Sequence, residues 1–141
     1  MHEDLLQRCV DEALKLGASY AEARFHRRYG SSISTRNGEL IGYGESIREG
    51  VGIRVVVEGA LGFSATNSIS WESLKEAVAE AVKLARTHAK LMKRPIEFAD
   101  ARLGRAKYEA ICLKPFDSMG PEEKIAVLAE IWDRVKNAVK Q

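Results

Sequence analysis

Histidine and cysteine are scarce in this chain, with three and two copies in 141 residues, and each shortage removes a class of chemistry. A zinc peptidase helix needs two imidazoles one turn apart with a glutamate beside the first, as in His-Glu-x-x-His, so that both face one metal. His2-Glu3 begins such a pattern, but Leu6 and Gln7 stand where the second histidine is needed. His26 and His88 lie far from it and from each other. His26 reads as a solvated residue on the polar face of a strand, and His88 as a partner for the negative end of a helix dipole. Cys9 and Cys112 sit in apolar surroundings and read as small buried hydrophobes.

An excess of one charge is also missing. Lysines and arginines number 22 against 20 acids, a net +2, far from the basic balance of a chain that binds nucleic acid by charge alone. No apolar run approaches the roughly 20 residues that span a bilayer. His2, Glu3 and Asp4 occupy the place of the basic leader of a signal peptide. These absences fit a cytosolic protein with reduced thiols, no membrane association and no nucleic-acid partner. A chain of this length reads as a single domain over 1–141, burying roughly two-thirds of its unfolded surface without staples.

What is present is a set of short alternating segments cut by two-residue turns, with a helical pattern before and after. Asn37-Gly38 and Glu58-Gly59 each separate two such segments, and Asn-Gly is the strongest short hairpin signal because both residues tolerate positive φ. Strands are expected at 19–29, 31–36, 39–45, 50–57 and 60–66. Val51, Ile53 and Val55, with Leu61 and Phe63 on the returning strand, are expected to form the core face. Leu6, Cys9, Val10, Ala13 and Leu16 recur at helical spacing, with Gly17 as the C-terminal cap. Ser70 is a candidate N-cap for a second helix that ends near 88–91, and its stripe of alanines from Ala77 to Ala89 would let it lie close on a sheet. Pro95 and Pro115 interrupt a weakly periodic stretch in which 107–114 could add an edge strand. Pro121-Glu122-Glu123 opens a third helix, whose apolar stripe Ile125, Leu128, Trp132, Val135 and Val139 needs a cover: the sheet, a second subunit or sequence beyond this chain. The expected class is α+β, an antiparallel meander of four to five strands with helices on one face.

Candidate constellations are few. Ser31, Ser32 and Ser34 beside Arg36 are explained by turn chemistry. Gly50, Gly52, Gly59 and Gly62 lie inside and between antiparallel strands, where bulges, tight turns or a close-approaching backbone account for them better than a phosphate loop, which runs from a strand into a helix. Arg24, Arg28, Arg36 and Arg54, with Tyr20 and Tyr43, could line the outer face of the sheet, but Glu22, Glu39 and Glu45 are interleaved with them. A solvated face of mixed charge is the simpler reading. No catalytic, metal-ligating or cofactor-binding residue is assigned.

Four separated motifs occur in register with one known family. Ala18-Ser19-Tyr20-Ala21-Glu22-Ala23-Arg24, Arg36-Asn37-Gly38-Glu39-Leu40, Gly50-Val51-Gly52-Ile53-Arg54-Val55 and Gly62-Phe63-Ser64-Ala65-Thr66-Asn67 resemble the amino-terminal domain of the TldD/PmbA family, also called the modulator-of-gyrase family. The resemblance implies a longer zinc metallopeptidase that hydrolyses extended or unfolded peptides. Its metal would be held in a carboxy-terminal part by a His-Glu-x-x-x-His helix and a later cysteine. None of those residues can be placed in this sequence, so the zinc belongs to the longer relatives and the chain is similar to their non-catalytic domain. The implied partners are a carboxy-terminal catalytic half, a TldD/PmbA-type partner chain or a second copy of this chain, and an extended peptide substrate. Two other classes remain open: a stand-alone peptide-binding module that uses a free strand edge, 31–36 or 60–66, and a regulatory protein that dimerises through the third helix.

Overall fold

The computed structural model describes residues 2–99, 104 and 106–139. In order the elements are helix α1 (Glu3–Lys15), strands β1 (Tyr20–Arg36), β2 (Glu39–Val57) and β3 (Ala60–Thr66), helix α2 (Trp71–Ala89), a single 3₁₀ turn at Phe116–Ser118 and helix α3 (Pro121–Val139). The three strands form one sheet in the order β1-β2-β3, and β2 and β3 pair antiparallel. The architecture is α+β, with fewer and longer strands than the sequence predicts. The expected segments 19–29 and 31–36 are one strand, as are 39–45 and 50–57. Glycine within a strand lowers its stability without cutting the ladder, because the backbone bonds to the neighbouring strand persist. Accordingly β1 runs unbroken through Gly30, and β2 through Gly42, Gly44 and Gly50. The expected edge strand at 107–114 is absent, and Tyr108, Ile111 and Leu113 are more than 90% exposed. Local alternation is not enough where no neighbouring strand supplies a ladder.

The chain divides into two compact units, one comprising Met1–Arg28 and Ile47–Ala101 and the other Tyr29–Ser46 and Arg102–Gln141. The first unit holds the core. Cys9 and Ala13 of α1, Val51, Ile53, Val55 and Val57 of β2, and Leu74, Val78, Ala81, Val82 and Ala85 of α2 are all buried, with Ala21, Ala23 and Phe25 of β1 packed against them. Both helices therefore cover the same face of the sheet. Each fully buried Val, Leu or Ile contributes roughly 1.5–3 kcal/mol over its exposed state, so these side chains are the main source of this unit's stability.

Helix α1 closes with a Schellman arrangement. Gly17 takes φ +94°, its N–H donates to Leu14 O at 3.0 Å, and Ala18 N–H donates to Ala13 O at 3.1 Å. Arg86 of α2 adds a 2.6 Å bond from Nη2 to Leu16 O and so ties the two helices together. Helix α2 starts at the expected cap, with Ser73 N–H donating to Ser70 Oγ at 3.2 Å.

The core face of β3 departs from the expected one. Val57 pairs with Ala60, Val55 with Gly62 and Ile53 with Ser64, so the small residues of β3 share the buried face. Leu61 is only half-buried, and Phe63, 54% exposed, lies on the opposite face. The turn explains this: two residues between the strands make 57 and 60 partners, and cross-strand partners share a face. Small residues are required there because α2 lies against the β3 backbone. A Cβ on Gly62 would meet Ala81 O at 1.9 Å and Ala85 N at 2.8 Å.

The second unit contains the Asn37-Gly38 turn and α3. Asn37 and Gly38 take φ +52° and +83°, the signs a type I′ turn demands. The Trp132 indole lies on that turn, with Cδ1 2.5 Å from where a Gly38 Cβ would stand. Glu123 reaches back from the first turn of α3 to accept the Gly120 N–H at 2.8 Å, half of a capping box. Lys124 Nζ donates to Phe116 O at 2.9 Å and lies 3.9 Å from the Phe116 ring centroid. No described residue of this unit is fully buried. Ile125, Leu128 and Trp132 are half-covered, whereas Ile131, Val135 and Val139 of the same helix are exposed.

Candidate functional site

The most developed concavity of the first unit is a cleft of about 600 Å³ on the outer face of the sheet, opposite the helices. Strand periodicity assembles it. Glu22, Arg24, His26 and Arg28 alternate along β1, Arg48, Gly50, Gly52 and Arg54 along β2, and Phe63, Ala65 and Asn67 follow on and beyond β3. Gly52 pairs with Ala65 and Arg54 with Phe63, which places these four on one face. The central strand thus contributes two glycines to the floor, leaving a furrow between a polar wall on β1 and an apolar wall on β3. The Phe63 ring leans over Gly52, its edge 3.2 Å from where a Cβ would be.

One end of the furrow is braced. Arg54 Nη1 lies 3.5 Å from Glu22 Oε1, and the Tyr20 hydroxyl donates to Glu22 Oε2 at 2.8 Å. That hydrogen bond pushes the Tyr20 phenol above the usual tyrosine range, with partial burial and the Glu22 charge adding to the effect and Arg54 and Arg24 opposing it. Past this end the Phe98 ring lies 4.7 Å from Tyr20, and Ile96 N–H donates to Gly59 O at 2.7 Å. Arg27 pairs with Glu49 at 3.3 Å. Arg24, Arg28 and Arg48 have no carboxylate partner among the described residues.

Three of the four arginines singled out in the sequence, Arg24, Arg28 and Arg54, meet in this cleft. Arg36 and Tyr43 belong to the second unit, where the Tyr43 hydroxyl bonds Glu45. Arg48 falls in 46–49, between the two expected strands, although it shares the parity of Arg54. His26 lines the cleft, and His88 Nδ1 lies 2.9 Å from Leu61 O, where its N–H can tie the end of α2 to β3. Cys9 is fully buried, and burial pushes its thiol up against the opposing pull of Arg8. Cys112, expected to be buried, is exposed with its Sγ 3.1 Å from Lys114 O. Its apolar neighbours Ile111 and Leu113 find no core in that irregular segment. Among the described residues no three His, Cys, Asp or Glu side chains converge as metal ligands, and no helix is long and apolar enough to cross a membrane.

Residues 21–85 match the family model described as PmbA/TldA metallopeptidase domain 1. No curated protein gives a significant match. Solved structures with the same fold include TldE from Thermococcus kodakarensis, 17% identical with a TM-score of 0.67 over 89% of this chain and 28% of that one. A protein described as a modulator of DNA gyrase from Bacteroides thetaiotaomicron is 20% identical, with a TM-score of 0.67 over 88% of this chain and 28% of its own. Another, described as a modulator of a DNA gyrase from Thermotoga maritima, is 18% identical, with a TM-score of 0.61 over 89% and 27%. The chain thus spans little more than a quarter of the length of these solved relatives. Residues 21–85 thus match the first domain of the PmbA/TldA metallopeptidase family, and the chain shares its fold with the corresponding part of these solved structures.

Proposed function

We propose that this domain is the non-catalytic part of a zinc metallopeptidase, helping to form the chamber in which extended or unfolded peptides are hydrolysed and the surface on which the assembly is built. The observation that carries the reading is the second unit. Ile131, Val135 and Val139 of α3, with Leu40 and Ile41 of β2, remain exposed, and no described residue of the unit is fully buried. A helix with an apolar stripe and no core of its own is stabilised by whatever covers that stripe. On this reading the cover is a carboxy-terminal catalytic half or a partner chain of the same family; that the chain covers only 27–28% of the solved structures supports the first. The metal and its ligands belong to that half.

The test is reconstitution. The domain alone is expected to bind no stoichiometric zinc and to leave an unfolded protein substrate intact. With a family carboxy-terminal half added, the apolar face of α3 becomes covered and zinc-dependent cleavage appears. Ile131→Lys together with Val135→Lys should weaken that association while leaving the circular dichroism of the free domain unchanged. Metal-dependent turnover by the pure domain, or association indifferent to the two lysines, would overturn the proposal.

A further inference from the structure

The geometry of the outer sheet face points to a second role. We infer that the cleft between the β1 arginine row and Phe63 binds an extended acidic polypeptide segment, its backbone running along β1 and carboxylates from alternate residues paired to Arg24 and Arg28. The inference is independent of the peptidase reading, since it rests on the first unit alone.

Arg24, His26 and Arg28 occupy every second position of β1, on the face that lines the cleft. Alternate residues of a strand lie roughly 7 Å apart, and an extended ligand has the same period, so acidic side chains at alternate positions meet this row in step. A guanidinium suits the partner, because its planar fork bonds both oxygens of a carboxylate. The site is also cationic in excess, with four arginines against two glutamates. Glu22 is already held by Arg54 and Tyr20, and Glu49 by Arg27. Those contacts leave Arg24, Arg28 and Arg48 without an acidic partner among the described residues.

The furrow supplies what a charged row alone lacks. A Cβ at Gly52 would meet the Phe63 ring at 3.2 Å and one at Gly50 the Thr66 carbonyl at 2.8 Å, so the room left for a ligand lies beside the β1 arginine row. Phe63 provides an apolar wall for the intervening side chains. Single-stranded nucleic acid fits less well, because readers of that class stack successive bases on several aromatic rings. Phe63 is the one Phe, Tyr or Trp among the residues that line this cleft.

The probe is a short fluorescein-labelled peptide with glutamate at alternate positions, titrated with the full chain and followed by anisotropy. A matched peptide with glutamine in place of glutamate and a single-stranded uridine oligonucleotide serve as comparisons. Saturable binding of the acidic peptide is expected, weakening as salt rises and exceeding the glutamine peptide by roughly tenfold, as two charge-assisted pairs imply. Arg24→Glu with Arg28→Glu should abolish it, whereas Arg24→Lys with Arg28→Lys should retain a weaker binding that depends on the glutamates. Arg134→Glu, on α3 and paired with Glu130, should leave it unchanged. Arg28→Glu alone is a second, single-site variant should the double reversal fail to fold. No binding of the acidic peptide, equal binding of the glutamine peptide, tighter binding of the oligonucleotide, or indifference to a reversal in a folded variant would each overturn the inference.

Discussion

Replacing Gly62 by alanine tests the packing on which the first unit depends. The added Cβ would stand 1.9 Å from Ala81 O, 2.8 Å from Ala85 N and 2.9 Å from Ala85 Cβ. Two of these are backbone atoms of a helix, so no side-chain rotation relieves the clash. Ordinary contact begins at 3.4 Å, so α2 would have to withdraw by about 1.5 Å at this point. A gap of about 0.5–1 Å already forfeits a quarter to a half of the dispersion attraction between facing atoms. Leu74, Val78 and Val82 sit on the same helix and would lose contact together. Overpacking into a full core costs typically 1–3 kcal/mol, and the rigidity of this neighbour places Gly62→Ala at about 3 kcal/mol or above. Urea unfolding followed by helical circular dichroism measures it, with Gly104→Ala, where nothing lies within 4 Å, as the reference. A loss below about 0.5 kcal/mol, the range of surface substitutions, would mean that α2 does not lie on β3 as described.

Ser70→Ala removes the oxygen that accepts the Ser73 N–H and should cost about 1 kcal/mol, the usual worth of such a cap, read as a lower urea midpoint with an unchanged slope. A thiol reagent should label Cys112 at once and Cys9 only after unfolding, because Cys9 is fully buried and its thiol is pushed up; rapid labelling of both in the native protein would contradict the core assignment. For Tyr20 the folded pKa is raised by the bond to Glu22, so that bond's contribution is present below the unfolded value of about 10 and lost as pH rises through the folded one. The stability advantage over Tyr20→Phe should therefore be largest near neutral pH and disappear in strong alkali. An advantage that does not change with pH would show that the phenol is not held by Glu22.

Much of the fold is legible in the sequence because local rules decide it. Asn37-Gly38, Gly17 and Ser70 each satisfy a backbone requirement that few other residues meet as well. The limits of β1 and β2 are less legible, because a glycine reads the same whether it breaks a strand or merely weakens one. What decides is the neighbouring strand, which the local pattern does not show. The face of β3 was legible in principle, since a two-residue turn fixes the parity, but hydrophobicity alone favours Leu61 and Phe63 as core. The cleft was half legible: Arg24, Arg28 and Arg54 stand out, while its shape depends on register and on the absence of side chains at Gly50 and Gly52.

The tightest of the described glycine approaches, Gly62 against α2, joins elements that follow one another directly along the sequence. The connection between β3 and α2 is only four residues, and residues 62 and 81 are 19 apart, so the chain entropy lost in forming the contact is modest. Contacts of that kind are made early in folding, and more distant ones add to them later. The β2-β3 hairpin and α2 are therefore expected to form the folding nucleus of the first unit. Helix α1, although synthesised first, depends for its C-terminal tie on a residue synthesised 70 positions later, the Arg86 guanidinium that fastens Leu16 O.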